Sequence, residues 1–387
     1  MILNNVHIVG NGLASIDIEG DRIITIQDLP IHDKNRKEPC IDFESAIAFP
    51  GLINSHDHLD FNLFPLLGNK VYQNYQEWGS DIHAQNGDII SEVLKIPKAI
   101  RIRWGLYKNL LNGITTVVQH GDLGYIPEDV IKVLTNSQVL HSVRREPNWI
   151  LKLNNPFRIS NPVVIHIGEG TDRAAYDEID ELIRWNLMRK KIIGIHGISM
   201  DQLQAGTFEA LVWCPVSNLF LMGRTAAIDQ LRHKTRIVFG TDSTISAGWN
   251  LWDHLRIARN TQQLSDEELY DSITTTPAQV WKQHQNGALL EGNAANVVVA
   301  AADANSGMNL DPFYKLNPED ILLVVCAGTI RLFDDRIVEQ MPPNMINDYS
   351  KVLLNGHTKY LIGDLVNLLK TIHSISPGLE LPIKPVA

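Results

Sequence analysis

Short apolar runs recur through the middle of this chain, and several end in a histidine or an aspartate. That repeat restricts the fold more than any other feature. Ile114–Gln119, Val163–Ile167, Ile192–His196, Ala210–Trp213 and Arg236–Gly240 read as strands. The stretches between them read as helices. Ile102, Leu106 and Leu110 recur every four residues and Gly113 supplies a stop. Thr171-Asp172 can cap a helix carrying Tyr176, Ile179 and Ile183 on one face. Repeated β–α units predict an α/β fold with a parallel sheet. Both chain ends differ from this middle. Val6–Val9, Ala14–Ile18 and Arg22–Ile26 are β-rich, and so are Asn296–Val299, Ile321–Val325 and Thr329–Leu332. From about Met341 only one helix is predicted, around Gly363–Ile372.

Composition removes several function classes. A length of 387 residues allows two or three domains and a large core. Lys and Arg total 34 against 44 Asp and Glu, a formal charge of −10, which argues against a nucleic-acid partner. Three widely spaced cysteines, Cys40, Cys214 and Cys326, predict a reducing compartment and no disulfide framework. No apolar run approaches the roughly 20 residues that span a bilayer. The start lacks the basic and apolar regions of a signal peptide. A cytoplasmic protein with no membrane partner is expected, and a homodimer is the commonest oligomer for such a chain.

The chemistry lies in where the polar residues fall. Residues i and i+2 of a strand face one side, so His56 and His58 can share one ion. His166 and His196 close their strands, and Asp242 follows another. In a β/α barrel such ends converge on the catalytic face. Imidazoles and a carboxylate buried there would be costly without a cation or hydrogen-bond partners. This donor set suits one divalent ion, zinc or ferrous iron. Glu169, three residues after His166, stands within reach of a water on that ion. It can serve there as a proton carrier or simply as an acid at a helix start. His120 also ends a strand, as a pocket residue, a supporting residue or plain packing.

Several of these segments resemble the amidohydrolase superfamily. They are Pro50–His58, Thr115–Val118, His166 with Glu169, His196-Gly197, Cys214-Pro215 with Ser217-Asn218-Leu219, and Gly240–Ser243. Pro277-Ala278 and Gly292–Val299 are similar to its return into a small β domain. The nearest branch is the mononuclear cytosine, guanine and S-adenosylhomocysteine deaminases with the triazine hydrolases. The resemblance implies a TIM-like (β/α) barrel and a small β-sandwich made by both chain ends. The divisions expected are residues 1–49 and 289–340 for the sandwich, 50–288 for the barrel and 341–387 for an extension. It further implies that His56, His58, His166 and Asp242 ligate one metal ion. Glu169 would carry protons, His196 would polarise the substrate, and Asp242 would double as a base.

The sequence departs from that family at three points. Trp213 replaces a histidine before the Cys-Pro motif and would offer a stacking face to a substrate. Only 45 residues separate His120 from His166, which leaves room for a barrel short by one β/α unit. Asn296 stands where an aspartate is usual. Asp60, Asn218 and His120 are candidate substrate-binding residues, with Tyr72, Tyr75 and Trp78 in a nearby polar loop. The expected function is a metal-dependent hydrolase of a non-peptide C–N bond, acting on a small molecule and deaminating a nitrogen heterocycle by metal-bound hydroxide. Two alternatives stay open: hydrolysis of a cyclic amide or loss of another leaving group, and a non-catalytic small-molecule binding protein that retains the fold.

Overall fold

The computed structural model describes residues 1–31, 38–121, 129–302 and 309–386. Among the described residues, eight short strands make up the centre. They are β1 (Leu52–Asp57), β2 (Ile114–Gln119), β3 (Lys132–Leu134), β4 (Gln138–Ser142), β5 (Val163–Ile167), β6 (Ile192–His196), β7 (Ala210–Trp213) and β8 (Arg236–Phe239). β1–β3 pair in parallel as one sheet and β4–β8 as a second. The two sheets wrap one interior. Ile53, Val118, Leu134, Val164, Ile193, Val212 and Val238, from seven of the strands, form one apolar cluster. Alternate residues such as Val117, Val163, Leu211 and Phe239 point outward to the helices. At the upper ends β8 returns to β1: the Thr241 and Asp242 N–H groups both donate to the His56 carbonyl, at 3.2 and 3.1 Å. The expected loss of a whole β/α unit is not seen: β3 and β4 are both present between His120 and His166, and the economy lies in residues 135–137, which join them without a helix.

Four helices matter for the site: α1 (Lys98–Leu111), α2 (Arg173–Trp185), α3 (Pro215–Met222) and α4 (Leu251–Asn260). Asp172 caps α2 by accepting from the Ala175 N–H, and Ile179 packs inward as the sequence predicts. α1 is buried along nearly all of its last three turns, including Lys108 and Asn109.

The β-rich ends join in one sheet of eleven strands among the described residues. Its central strand, Val297–Ala301, shows how it is used. Val297 and Val299 face a core made with Leu3, Ile16, Leu323 and Phe333. Val298 and Ala300 face the core shared with the barrel. The period of two along a strand therefore gives the sheet two buried faces. The region beyond 341 adds a hairpin (Tyr349–Leu354 and His357–Ile362), a strand (Ile383–Pro385) and a helix (Leu365–Ile375).

Candidate metal centre

The upper ends of β1, β5, β6 and β8 bring His56, His58, His166, His196 and Asp242 together. The His58 and His166 Nε2 atoms are 3.3 Å apart. Asp242 Oδ1 is 3.8 Å from Nε2 of His56 and of His58. Two donors each about 2.1 Å from one tetrahedral ion stand about 3.4 Å apart. The spacing therefore fits a single cation. All of these side chains are buried except His58, which is 16% exposed. His56 Nε2 is buried with no hydrogen-bond partner among the described residues. An orphaned imidazole nitrogen beside other donors is what a bound cation would satisfy.

The local backbone is specialised for this arrangement. His196 and Asp242 adopt φ of +72° and +57°, a left-handed conformation uncommon for residues with a side chain. Gly240 lets β8 approach β1: a Cβ there would lie 2.8 Å from the Cβ of His56.

Second partners orient His166, Asp242 and His196. His166 Nδ1 donates to the His141 carbonyl at 2.9 Å, which leaves Nε2 free for a cation. Asp242 Oδ2 accepts from the Ser217 and Ser246 hydroxyls at 2.7 and 3.0 Å. His196 Nδ1 pairs with Asn218 Oδ1 at 2.8 Å, and its Nε2 lies 3.6 Å from Glu169 Oε1. Asp57, between His56 and His58, faces away into a buried cage. Its carboxylate accepts from Lys108 Nζ at 3.0 Å, Asn109 at 2.8 Å, Asn62 at 2.7 Å and Asn54 at 3.3 Å. Asn54 Oδ1 in turn accepts from the Thr241 N–H at 3.1 Å. The cage thus ties β1 to the residue before Asp242.

Burial sets the protonation of the site. It holds His56 and His166 well below the usual imidazole pKa, with neighbouring histidines adding to the effect. Neutral imidazoles are the ligating form. Burial alone would raise the Asp242 carboxyl, but His58, His196, Ser217 and Ser246 bring it below its ordinary value. Glu169 is pushed well above the carboxylate range by burial, then by Asp242 and Glu178, against the opposing charge of Arg145.

Not every candidate reaches the site. Trp213 is fully buried, and its indole N–H donates to Thr225 Oγ1 at 2.7 Å. It offers no stacking face, because the parity of β7 turns Val212 inward and Trp213 toward the helices. The Asp60 carboxylate faces Lys98 and Arg101, both at 3.9 Å, and not the cluster. Asn218 acts on His196 from behind, and it shares Thr225 Oγ1 with Trp213. His120 lies inside the cluster, its ring centroid 4.2 Å from that of His166. Tyr75 bonds Ser142 at 2.9 Å and is anchored as the first residue of a helix. His254 Nε2 bonds the Gly248 carbonyl at 2.8 Å.

Residues 161–331 match the amidohydrolase family. A 5-methylthioadenosine/S-adenosylhomocysteine deaminase of Caldicellulosiruptor saccharolyticus is 22% identical over 361 aligned residues, 77% of this chain and 83% of that protein. A 5'-deoxyadenosine deaminase of Methanococcus aeolicus is 22% identical across 92% of this chain and all of that protein. Among solved structures, a zinc complex of atrazine chlorohydrolase from Arthrobacter aurescens superposes with a TM-score of 0.68 at 16% identity, covering 97% of this chain and 99% of that one. That likeness shows the TIM-barrel fold.

Proposed function

Given that this chain carries an amidohydrolase-family domain, we propose that it is a metal-dependent hydrolase that removes an amino group from a nitrogen heterocycle. The substrate class proposed is an aminopurine nucleoside, because two relatives spanning most of this chain are named as deaminases of such molecules. The observation that carries the reading is the meeting of His56, His58, His166 and Asp242 at the spacing of one ion, beside Glu169 and His196. Those four side chains would hold the ion within the barrel unit of residues 50–288. Zinc is the proposed ion, since imidazoles with one carboxylate suit it, and ferrous iron takes the same donors.

Such a cation supplies a water whose pKa is lowered to about 7. The remaining work belongs to side chains. Glu169, with its raised pKa, takes a proton from the attacking water and gives it to the departing nitrogen. His196 presents Nε2 to the substrate, because Asn218 occupies Nδ1. Asp242, held by two serine hydroxyls, assists as a base toward the nucleophile. Three cysteines without disulfides support an intracellular setting, and the acidic charge supports a small-molecule rather than nucleic-acid partner.

The test combines metal analysis of purified protein with an ammonia-release screen over aminopurines, aminopyrimidines, pterins and triazines. One equivalent of zinc and ammonia from an aminopurine nucleoside are expected. Absence of stoichiometric metal overturns the reading. A Glu169→Gln variant that turns over at the normal rate removes Glu169 from the proton path.

A further inference from the structure

We propose that His120 is an additional metal ligand, so that the cation is held by an all-imidazole face, His56, His120 and His166, beside the face completed by Asp242. This rests on the reading of a metal centre given above and enlarges its ligand set. His120 follows the last residue of β2, where its backbone is fixed at both ends. Its N–H donates to the Asp57 carbonyl at 2.9 Å, and its carbonyl accepts from the Gln119 side chain at 3.1 Å. Gln119 is itself held, accepting from the Leu59 N–H at 2.7 Å. The ring is therefore placed by the strand end and not by chance packing of a loose side chain.

The ring stands among the other imidazoles. Its centroid lies 4.2 Å from that of His166, 5.3 Å from that of His56 and 5.4 Å from that of His58. One donor atom from each of His56, His120 and His166 falls within 4.8 Å of the others. The residue is 3% exposed, and neither ring nitrogen has a hydrogen-bond partner among the described residues. Buried polar atoms are nearly always bonded. An apolar side chain would fill the same space without two unmet nitrogens, so packing alone does not account for a histidine here. Buried imidazole donor atoms gathered this closely, without partners of their own, are reconciled by a shared cation. The donor set is nitrogen-rich, which selects zinc, cobalt or ferrous iron over magnesium or calcium.

The experiment measures zinc affinity by chelator competition, and the visible spectrum of the cobalt-substituted protein, for wild type and His120→Leu. Loss of a direct ligand is expected to weaken zinc binding by more than about 100-fold, since residues that only support ligands cost about 10–100-fold. The cobalt bands are expected to shift. The metal-free variant is expected to unfold at a temperature no lower than metal-free wild type, because two unsatisfied nitrogens leave the core. If His120→Leu does not fold, His120→Gln carries the same comparison. A loss smaller than about 100-fold, or an unchanged cobalt spectrum, overturns the assignment. Wild-type protein that binds no zinc overturns the metal centre itself, which is a separate result.

Discussion

Replacing Lys108 by methionine leaves the Asp57 carboxylate buried without its cation. Both residues are essentially inaccessible and their charged atoms are 3.0 Å apart. Removing one partner of a buried ion pair costs about 3–5 kcal/mol. Asp57 keeps three amide donors from Asn54, Asn62 and Asn109, so the low end, about 3 kcal/mol, is expected. At roughly 2 °C per kcal/mol for a large domain, the melting point falls by about 6 °C. Asp57 separates His56 from His58, so zinc affinity is expected to fall by about 10–100-fold as well. Urea unfolding with excess chelator isolates the first effect from ligation. The double variant Lys108→Met/Asp57→Asn removes both charges and is expected to recover at least about 2 kcal/mol. A single-variant cost under about 1 kcal/mol, or no recovery in the double variant, refutes the argument that this pair organises the strand end.

Other perturbations give distinct outcomes. Asn218→Leu frees His196 Nδ1, and kcat is expected to drop by about 100-fold with metal content unchanged. A parallel loss of metal contradicts that reading. Glu169→Gln is expected to lower turnover by about 10²–10⁴-fold, with zinc retained, in a stopped ammonia-release assay. Glu178 is held up to about 7 by burial, against the Gly168 N–H that favours its charge, from an ordinary value of 4.5. The folded protein thus prefers the neutral acid. Stability from this group is full below pH 4.5 and is lost as pH rises toward 7, by up to about 3 kcal/mol. Glu178→Gln is expected to flatten that part of the stability–pH curve measured by denaturation. An unchanged slope counts against it.

The strand ends were legible because strands β5 to β8 are buried on both faces. Such strands read as continuous apolar runs, and a terminal histidine or aspartate stands out against them. The i, i+2 spacing of His56 and His58 carried equal information. The cage around Asp57 was not legible. Its members come from β1, α1 and the turn after β1, and no periodicity links Asn54, Asn62, Lys108 and Asn109. A lysine on a helix reads as a solvated face. Only the near-complete burial of α1 makes Lys108 an interior charge. Trp213 shows a parity error: its position in the motif suggested the pocket, while the alternation along β7 sends it outward. The hairpin after residue 348 was missed because its strands are half-buried and short, so alternation such as Ser350, Val352 and Leu354 competes with polar neighbours.

The direct test is anomalous diffraction at the zinc edge from crystals of the zinc-loaded protein. The account predicts one strong peak about 2.1 Å from donor atoms of His56, His58, His166 and Asp242. A peak elsewhere, or none among those side chains, would contradict it.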